Sequence, residues 1–244
     1  MVMDRVSQAV RPDGRPAGFQ RWRHLLFLHW EVPAETIQKG LPAGLEVDTF
    51  DGRAFVCVVP FTMQDVVPWW SPSVPGVSSF HELNVRTYVH RRGRDPAVWF
   101  YSLDAASSLA VFLARTFWHL PYRRASMRLA VDGSLVSYAS KRWWSRAAPA
   151  ELTARYRIGE PLGASAPGTL EHFLCERYLL YARQGDGFAI GQVHHKPYPV
   201  HRAEVLELRE SMVSAAGFPA PEGEPLAHYV PGVDVDVFAL RRAE

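Results

Sequence analysis

The chain has 244 residues, of which 48% are hydrophobic and 21% are charged, a composition typical of a globular protein large enough to bury a core. A formal net charge of +2 and scattered basic residues give no indication of a nucleic-acid partner. Two cysteines are too few for a disulfide framework, and no apolar stretch is long enough for a transmembrane helix or a signal peptide. We therefore expect a cytoplasmic protein without a membrane partner.

The first third of the chain predicts strands and one short helix. Residues 1–18 are polar and are expected to form a flexible tail. The next elements are a strand, a proline-initiated helix and a hairpin around the turn Phe50–Arg53, at residues 21–32, 33–42 and 45–63. Residues 65–79 hold three prolines and two tryptophans, Trp69 and Trp70, and are predicted to form a long loop that acts as a lid.

The rest of the chain predicts more strands than helices. Strands or hairpins are expected at residues 80–91, 97–105, 127–140, 151–159, 178–195 and 199–208. Short helices are expected at residues 107–120, 169–178 and 209–217, and an irregular segment after Pro219. Strands joined mostly by hairpins predict a mainly β (α+β) fold, in which an antiparallel sheet curls or closes into a barrel-like shape with a few short helices. Residues 19–244 are expected to form one domain.

The stretch ELNVRTYV, residues 82–89, poses the main question about the site. In a strand, side chains alternate between two faces. One face holds Leu83, Val85, Thr87 and Val89, and the other holds Glu82, Asn84, Arg86 and Tyr88. The polar face either meets water, with Glu82 and Arg86 as a weak surface pair, or lines an enclosed pocket. Strand alternation alone leaves both interpretations open.

Seven segments together resemble a known family: LLFLHWEVP, GLEVDTFDG, VVPF, ELNVRTYV, WFYSLDA, LPYRRA and GQVHHKPYP. Across about residues 20–215, in order and at family spacing, the chain is similar to the YqjF-like family of unknown function, in the acetoacetate decarboxylase-like superfamily. The resemblance implies a compact β-barrel-like fold with a central cavity. It favours the inward interpretation, in which Glu82 and Arg86 face that cavity.

The same resemblance argues against imine chemistry. Acetoacetate decarboxylases place a lysine pair after the proline of this segment, and one lysine forms a Schiff base while its neighbour lowers its pKa. In LPYRRA, Tyr122 stands at the Schiff-base position and Arg123 at the activating position. Arginine stays protonated and does not replace the lysine. The family's imine-based decarboxylation is therefore not expected here.

The remaining polar groups suggest acid–base chemistry beside an anion site. Arg86 and Arg123, or Arg124 in its place, could hold a carboxylate or enolate, and Glu82 or Tyr122 could move protons. Glu82, Tyr122 and Arg123 are the catalytic candidates. The alternative is that Glu82 and Arg86 form a purely structural pair.

Further side chains are candidates for ligand binding. They are Arg86, Asn84 and Tyr88 on the predicted strand, Trp69 on the lid and His194 in VHHKPYP. His194 and His195 point to opposite faces of a strand, so one is expected to line the cavity and the pair is unsuited to one metal ion. No metal site and no cofactor are predicted, because no metal, phosphate-loop or nucleophile-elbow motif occurs.

Two functions from different classes remain open. In the first, the protein is an enzyme that acts by acid–base chemistry on a small carbonyl or carboxylate compound. In the second, it is a non-catalytic binding protein that keeps the cavity without the Schiff-base lysine. Both predict a small anionic or partly apolar ligand. The sequence is compatible with a homo-oligomer but does not fix the oligomeric state.

Overall fold

The computed structural model describes residues 3–70, 72–74, 78–107, 120–143 and 149–243. The three α-helices in these ranges are short: α1 (Ala34–Gly40), α2 (Leu170–Cys175) and α3 (Met212–Ala215). The strands are β1 (Gly18–Glu31), β2 (Glu46–Val47), β3 (Phe55–Pro68), β4 (Phe80–Arg91), β5 (Arg94–Ala105), β6 (Tyr122–Asp132), β7 (Leu135–Arg142), β8 (Glu151–Gly163), β9 (Leu179–Gln184), β10 (Gly187–His194), β11 (Val200–Glu210), β12 (Leu226–Val237) and β13 (Arg241–Arg242).

All thirteen strands belong to one sheet whose hydrogen bonding closes into two rings. The cavity ring runs β12–β1–β3–β4–β5–β9–β10 and returns to β12. The packed ring runs β12–β1–β3–β4–β5–β6–β7–β8–β11 and also returns to β12. Strands β12, β1, β3, β4 and β5 lie in both rings, and we call the three central ones, β1, β3 and β4, the shared wall. Each face of this wall therefore looks into a different interior.

The packed ring is filled by apolar side chains. From the shared wall it receives Leu26, Leu28, Val56, Val58, Leu83 and Val85, and from the far strands Val136, Tyr138, Leu152, Ala154 and Tyr156. Aliphatic and aromatic side chains at every second strand position are what a buried sheet face requires. This cluster is the main hydrophobic core of the molecule.

The fold class predicted from the sequence is confirmed, with corrections to individual elements. The strand β2 pairs with β4 and not with β3, so the predicted hairpin of residues 45–63 reduces to an isolated bridge between Phe50 and Arg53. Strand β5 pairs in parallel with β6 and β9, so the sheet is not wholly antiparallel. Strand β3 continues to Pro68, into the predicted lid loop. The predicted helix at residues 107–120 falls largely outside the described residues.

The largest error concerns the segment after Pro219, which is not irregular. Strand β12 pairs with β1 from Gly18↔Val237 to His29↔Leu226, and it closes both rings. The alternation VDVDV at residues 233–237 is a strand signal, but Pro231 and Gly232 before it indicate a break. Gly232 adopts φ 155°, and a Cβ there would collide with the Trp22 carbonyl oxygen. The glycine permits a close strand approach and does not end the strand.

Residues 3–17, predicted to be a flexible tail, contact the sheet at several points. The Arg5 guanidinium reaches Asp48 at 2.6 Å, and the Arg11 Nε lies 2.8 Å from an Asp236 carboxylate oxygen. The Ala17 N–H donates to the Val237 carbonyl oxygen at 2.7 Å. The segment therefore packs against the cavity ring, and Ala17 at its end contributes to the cavity lining. Separately, none of the described helices is long and apolar enough to cross a membrane.

Candidate functional site

A cavity of about 630 Å³ lies inside the cavity ring, a size that suits a small-molecule ligand. Every strand of that ring contributes to its walls. Most lining side chains are apolar, including Trp22, Leu25, Phe27, Val59, Phe61, Met63, Phe80, Phe100, Leu103 and Leu180. Trp70 also lines the cavity and is 71% exposed, which marks the mouth. Few polar side chains reach the interior, so each one that does bears on function.

Strand β4 supplies three of these polar groups. Glu82, Asn84 and Arg86 line the cavity, whereas Leu83 and Val85 on the opposite face lie in the packed ring. Glu82, Asn84 and Arg86 therefore face the cavity, as the inward interpretation of residues 82–89 predicts. All three are buried, and Glu82 is only 1% exposed.

Glu82 and Tyr122 form a hydrogen-bonded pair on the cavity wall. The Tyr122 hydroxyl donates to Glu82 Oε2 at 2.9 Å, and β6 places Tyr122 opposite Leu103 of β5. The pKa of Glu82 is raised to about 8, mainly by burial. The Tyr122 hydrogen bond lowers this pKa, and the negative charge of Asp104 adds to the increase. Burial also raises the pKa of Tyr122 well above its usual value, so the phenol stays protonated. Glu82 can therefore give up or take a proton near neutral pH.

Arg86 lies farther along the same strand face and has no ion-pair partner in the part of the chain that the structure describes. Its guanidinium carbon is 5.3 Å from the Phe27 ring centroid and 5.9 Å from that of Tyr88. The Nε and Nη2 atoms are buried and have no hydrogen-bond partner among the described residues. An arginine in this state is suited to bind a carboxylate through two parallel hydrogen bonds. The alternative of a structural Glu82–Arg86 pair has no contact in its favour, since among the described residues Glu82 is hydrogen-bonded to Tyr122 and no ion pair joins it to Arg86.

A second buried arginine, Arg177, also lines the cavity and was missed by the sequence analysis. Its Nη2 atom lies 3.1 Å from the carboxylate of Asp48, which Arg5 also contacts. Burial lowers the pKa of Arg177 to about 10, and the charge of Asp48 opposes this. Arg5 and Arg177 thus bring two positive charges to one carboxylate, and the charge of Arg86 lies close enough to lower the pKa of Arg177 further, so this end of the cavity favours an anion.

Asn84 lies between Glu82 and Arg86 on the strand. Its side chain is 5% exposed, and its buried Oδ1 atom has no hydrogen-bond partner in the described structure. Buried acceptors are normally satisfied, and leaving one unsatisfied costs about 1–3 kcal/mol. A ligand with a hydrogen-bond donor at this level would remove that cost.

Two other candidates from the sequence lie outside the cavity lining. Arg123 follows Tyr122 on β6, so strand alternation directs its side chain away from the cavity, and it lies close enough to lower the pKa of Asp104. Tyr88 is fully buried beneath Arg86, where its hydroxyl donates to the Leu174 carbonyl oxygen at 2.6 Å and lies 2.7 Å from His29 Nε2. The predictions that Arg123 and Tyr88 contact a ligand in this cavity are therefore corrected.

Trp69 and His194, the lid and histidine candidates, also lie outside the cavity lining. Trp69 does not line the cavity; its ring packs under the Arg15 guanidinium at 3.4 Å, and the neighbouring Trp70 lines the mouth instead. His194 bonds through Nδ1 to the Ala9 carbonyl oxygen at 3.1 Å. The predicted role of either His194 or His195 in lining the cavity is not seen.

His195 lies immediately behind the cavity wall. Its ring stacks on Tyr178 and Tyr198, both of which line the cavity, with centroid distances of 4.6 Å and 4.3 Å. Nδ1 bonds to the Lys196 carbonyl oxygen at 2.8 Å, and burial lowers the pKa of His195 to about 4. The ring is therefore neutral at physiological pH and supports the two tyrosines. Among the described residues, no group of three His, Cys, Asp or Glu side chains is placed to hold a metal ion.

No lysine side chain lines the cavity. Lys39, Lys141 and Lys196 are the three lysines of the chain, all three are exposed, and none lines the cavity. Schiff-base formation requires an amine that contacts the substrate carbonyl. The cavity as described therefore offers acid, phenol and guanidinium groups but no amine nucleophile.

Solved structures with the same architecture show which fold the chain has. The enduracididine biosynthesis enzyme MppR, complexed with the condensation product of pyruvate and imidazole 4-carboxaldehyde, has a TM-score of 0.66 at 13% identity, over 93% of this chain and 89% of that one. Acetoacetate decarboxylase from Legionella pneumophila subsp. pneumophila str. Philadelphia 1 has a TM-score of 0.59 at 13% identity, over 98% and 94%. The chain has the acetoacetate decarboxylase-like fold, mostly β and built around a cavity.

Sequence comparison then gives the family. Residues 19–234 match the family model DUF2071, described as an uncharacterized conserved protein (COG2071). The uncharacterized protein YqjF of Bacillus subtilis (strain 168) is 37% identical over 232 residues, which cover 95% of this chain and 94% of YqjF. The chain belongs to the DUF2071 family. The resemblance predicted from the seven sequence segments is thereby confirmed.

Proposed function

We propose that the protein binds a carbonyl-containing carboxylic acid in its cavity and catalyses proton transfer on it. Arg86 holds the carboxylate, and Glu82, positioned by Tyr122, moves the proton. One observation carries the proposal: a buried carboxyl group with a pKa of about 8 faces the same apolar cavity as a buried arginine that has no carboxylate partner in the described structure. Groups with shifted pKa values in a cleft are typical of catalytic sites.

The chemistry follows from the two protonation states of Glu82. Below pH 8 most Glu82 carboxyl groups are protonated and can donate a hydrogen bond to a carbonyl oxygen of the substrate. In the ionised form, the carboxylate accepts a proton from the carbon next to that carbonyl. The C–H electron pair then forms the enolate, Glu82 exchanges the captured proton with water, and its transfer of a solvent-derived proton back to the carbon completes the exchange. Enclosure by apolar walls strengthens these interactions relative to water.

The structural neighbours support the substrate class at the level of analogy. The MppR complex contains a condensation product of pyruvate, an oxo acid, within the same architecture. In the present chain no lysine lines the cavity, so the proposal includes no imine. What remains from the analogy is a carbonyl compound held in an enclosed site of this fold.

Hydrogen–deuterium exchange tests the proposal directly. A panel of oxo carboxylic acids of different chain length is incubated with the protein in D₂O, and exchange beside the carbonyl is followed by proton NMR. Glu82→Gln should slow exchange by about 10²–10⁴-fold, the usual contribution of a general acid–base group. Its binding affinity should change little, because glutamine resembles the protonated carboxyl group. Glu151→Gln, at an exposed glutamate paired with Lys141, is the matched control and should exchange like wild type.

A second function, non-catalytic binding, is supported by the absence of lysine from the cavity wall. A binding protein would hold the same acids through Arg86 but would exchange no protons in the wild-type form. Binding without exchange across the whole panel would therefore contradict the enzymatic proposal and favour the binder. Exchange that persists unchanged in Glu82→Gln would show that another group moves the proton.

A further inference from the structure

We infer that the ligand is a dicarboxylic acid, with one carboxylate held by Arg86 and the second held by Arg177. The inference rests on the proposed function, because it keeps Arg86 as the anchor of the first carboxylate. It goes further by assigning Arg177 to ligand binding and by giving the ligand two negative charges.

The two arginines lie close together on the cavity lining. Arg86 and Arg177 both line the cavity, and they are 9% and 6% exposed. Their guanidinium carbons lie 5.9 Å and 4.9 Å from the centroid of the same Tyr88 ring. The charge of Arg86 is near enough to lower the pKa of Arg177. One small molecule in a cavity of about 630 Å³ can therefore contact both groups.

Asp48 pairs with Arg177 but is engaged mainly by another arginine. Arg5 donates to both carboxylate oxygens of Asp48, with Nη2 lying 2.6 Å from Oδ1 and Nη1 bonded to Oδ2. Arg177 adds one hydrogen bond, from Nη2 to Oδ2 at 3.1 Å. One carboxylate shared by two arginines leaves a positive charge in excess. Buried charges are normally paired, so this excess favours a further anion beside Arg177.

The surroundings of the two guanidinium groups are largely aromatic. The Arg86 guanidinium carbon is 5.3 Å from the Phe27 ring centroid, and that of Arg177 is 4.4 Å from the Phe173 ring centroid. Ring faces attract a cation but do not replace a carboxylate as a hydrogen-bond acceptor. Among the described residues, Nε and Nη2 of Arg86 and Nε of Arg177 have no acceptor. Each arginine therefore keeps donors for a ligand.

The other buried carboxyl groups do not supply the missing negative charge. Glu82, with a pKa of about 8, is mostly protonated at pH 7. Glu176 accepts hydrogen bonds from the Tyr178 hydroxyl at 2.6 Å and the Tyr198 N–H at 2.8 Å, and burial raises its pKa. Within the described part of the chain, neither glutamate forms an ion pair with Arg86 or Arg177.

The rest of the lining determines where the second charge can lie. Most of the remaining lining side chains are apolar, so a carboxylate placed among them would be buried without a partner. Both carboxylates are therefore expected beside the arginines, and the carbon skeleton of the ligand is expected against the apolar walls.

Three acids with the same hexyl tail test the inference in the wild-type protein. Octanoate carries one carboxylate, whereas hexylmalonate and hexylsuccinate carry two, at different spacings. None of them has the carbonyl group, so proton transfer by Glu82 does not enter the measurement. Binding is measured by titration calorimetry at pH 7 and constant ionic strength. We expect at least one diacid to bind about tenfold more tightly than octanoate, because a second charge-assisted contact forms at Arg177.

Variants then locate the second charge. Arg177→Met should reduce the affinity for the preferred diacid to that of octanoate, and Arg86→Met should weaken all three acids. Arg155→Met is the matched control, because it removes a positive charge from an exposed pair with Glu207 and should keep the diacid preference. If Arg177→Met does not fold, Asp48→Asn takes its place. It removes the carboxylate that competes for Arg177, so the preference for the diacid should increase.

The outcomes separate the inference from the proposed function. If octanoate binds through Arg86 and neither diacid binds more tightly, the second charge is wrong while the proposed function stands. A diacid preference that survives Arg177→Met, or that does not increase in Asp48→Asn, would show that Arg177 does not hold the second carboxylate. If none of the acids binds, or if Arg86→Met leaves octanoate binding unchanged, the anchor is wrong and both proposals fail.

Discussion

The two rings of the sheet share one wall, and each contains a buried arginine: Arg142 of the packed ring is paired with a carboxylate, and Arg86 of the cavity ring is not paired with one among the described residues. In the packed ring, Arg142 is buried against Asp104 with Nε and Nη2 each 2.9 Å from a carboxylate oxygen, and Nη2 also bonds to Ser102 at 3.1 Å. In the cavity ring, Arg86 is buried, and within the described residues two of its nitrogen atoms have no hydrogen-bond partner and no ion pair involves it. The first arrangement is complete within the protein, and the second leaves hydrogen-bond donors available in the cavity.

The neighbouring residues show the same contrast. Leu83 of β4 pairs across the strands with Asp104, on the packed side of the wall, and Asn84 pairs with Leu103, on the cavity side. Adjacent residues of β4 thus differ: Leu83 packs in the hydrophobic core, and the Asn84 Oδ1 atom has no hydrogen-bond partner among the described residues. Unsatisfied polar groups cost stability, so their concentration on one face indicates selection for function rather than for stability.

The two arginines give the sharpest test of this comparison. Arg142→Met should lower the free energy of unfolding by about 3–5 kcal/mol, because it leaves the buried Asp104 carboxylate without its partner. Arg86→Met should change it by no more than about 1 kcal/mol, because among the described residues no carboxylate is paired with Arg86 and two of its nitrogen atoms have no partner to lose. Urea unfolding at pH 7 measures both. An equal loss in the two variants would show that Arg86 is structural and would remove the contrast between the rings.

The second test compares adjacent positions on β4. Leu83→Ala should cost about 2–5 kcal/mol, because Leu83 is fully buried in the packed ring and its truncation leaves a cavity. Asn84→Leu should be close to neutral or stabilising, because it replaces a buried amide whose Oδ1 has no partner with an apolar side chain. Thermal and urea unfolding report the two changes. A large loss in Asn84→Leu would indicate that the amide has a structural role.

The third test uses pH. Because burial raises the pKa of Glu82 to about 8 in the folded protein, above its ordinary value of 4.5, folding is favoured when the group is protonated. The stability it contributes is complete below about pH 4.5 and is lost as the pH rises through 8. Relative to Glu82→Gln, the wild type should lose about 3 kcal/mol between pH 5 and pH 8. Unfolding free energies of both proteins across this range provide the measurement.

A matched control isolates the effect of burial in this experiment. Glu151→Gln alters an exposed carboxylate and should track the wild type at every pH. If the stability difference between wild type and Glu82→Gln is the same at pH 5 and pH 8, the pKa of Glu82 is not raised, and the acid–base role loses its basis.

The sequence was informative where a local pattern determines the structure. Period-two alternation located most strands, and on β4 it grouped Glu82, Asn84 and Arg86 on one face, although only the family resemblance indicated that this face points inward. The choice between Tyr122 and Arg123 could not be made in this way. Both side chains are polar, and the pairing of β6 with β5 decides which of them faces the cavity.

Features built from distant segments escaped prediction. The contact between Arg177 and Asp48 joins residues 129 positions apart, and neither residue has neighbours that mark it as part of a charge cluster. One local feature could have indicated the contact: Arg177 lies among apolar residues in LCERYLL. A charged side chain in such a segment is rarely buried unless it is paired, so an acidic partner could have been expected. Strand β12 was missed because Pro231 and Gly232 outweighed the alternation that follows them.

The pairing of β1 with β12 also determines when the cavity can exist during synthesis. The two strands meet across 205 residues, as in the contact between His24 and Tyr229. At a translation rate of about 5–20 residues per second, β1 waits roughly 10–40 s for its partner strand. Until then the shared wall has an open edge, and the face that carries Arg86 and Glu82 is exposed to water. Such long-range closure is typical of slowly folding β proteins, so we expect the cavity to form among the last parts of the molecule.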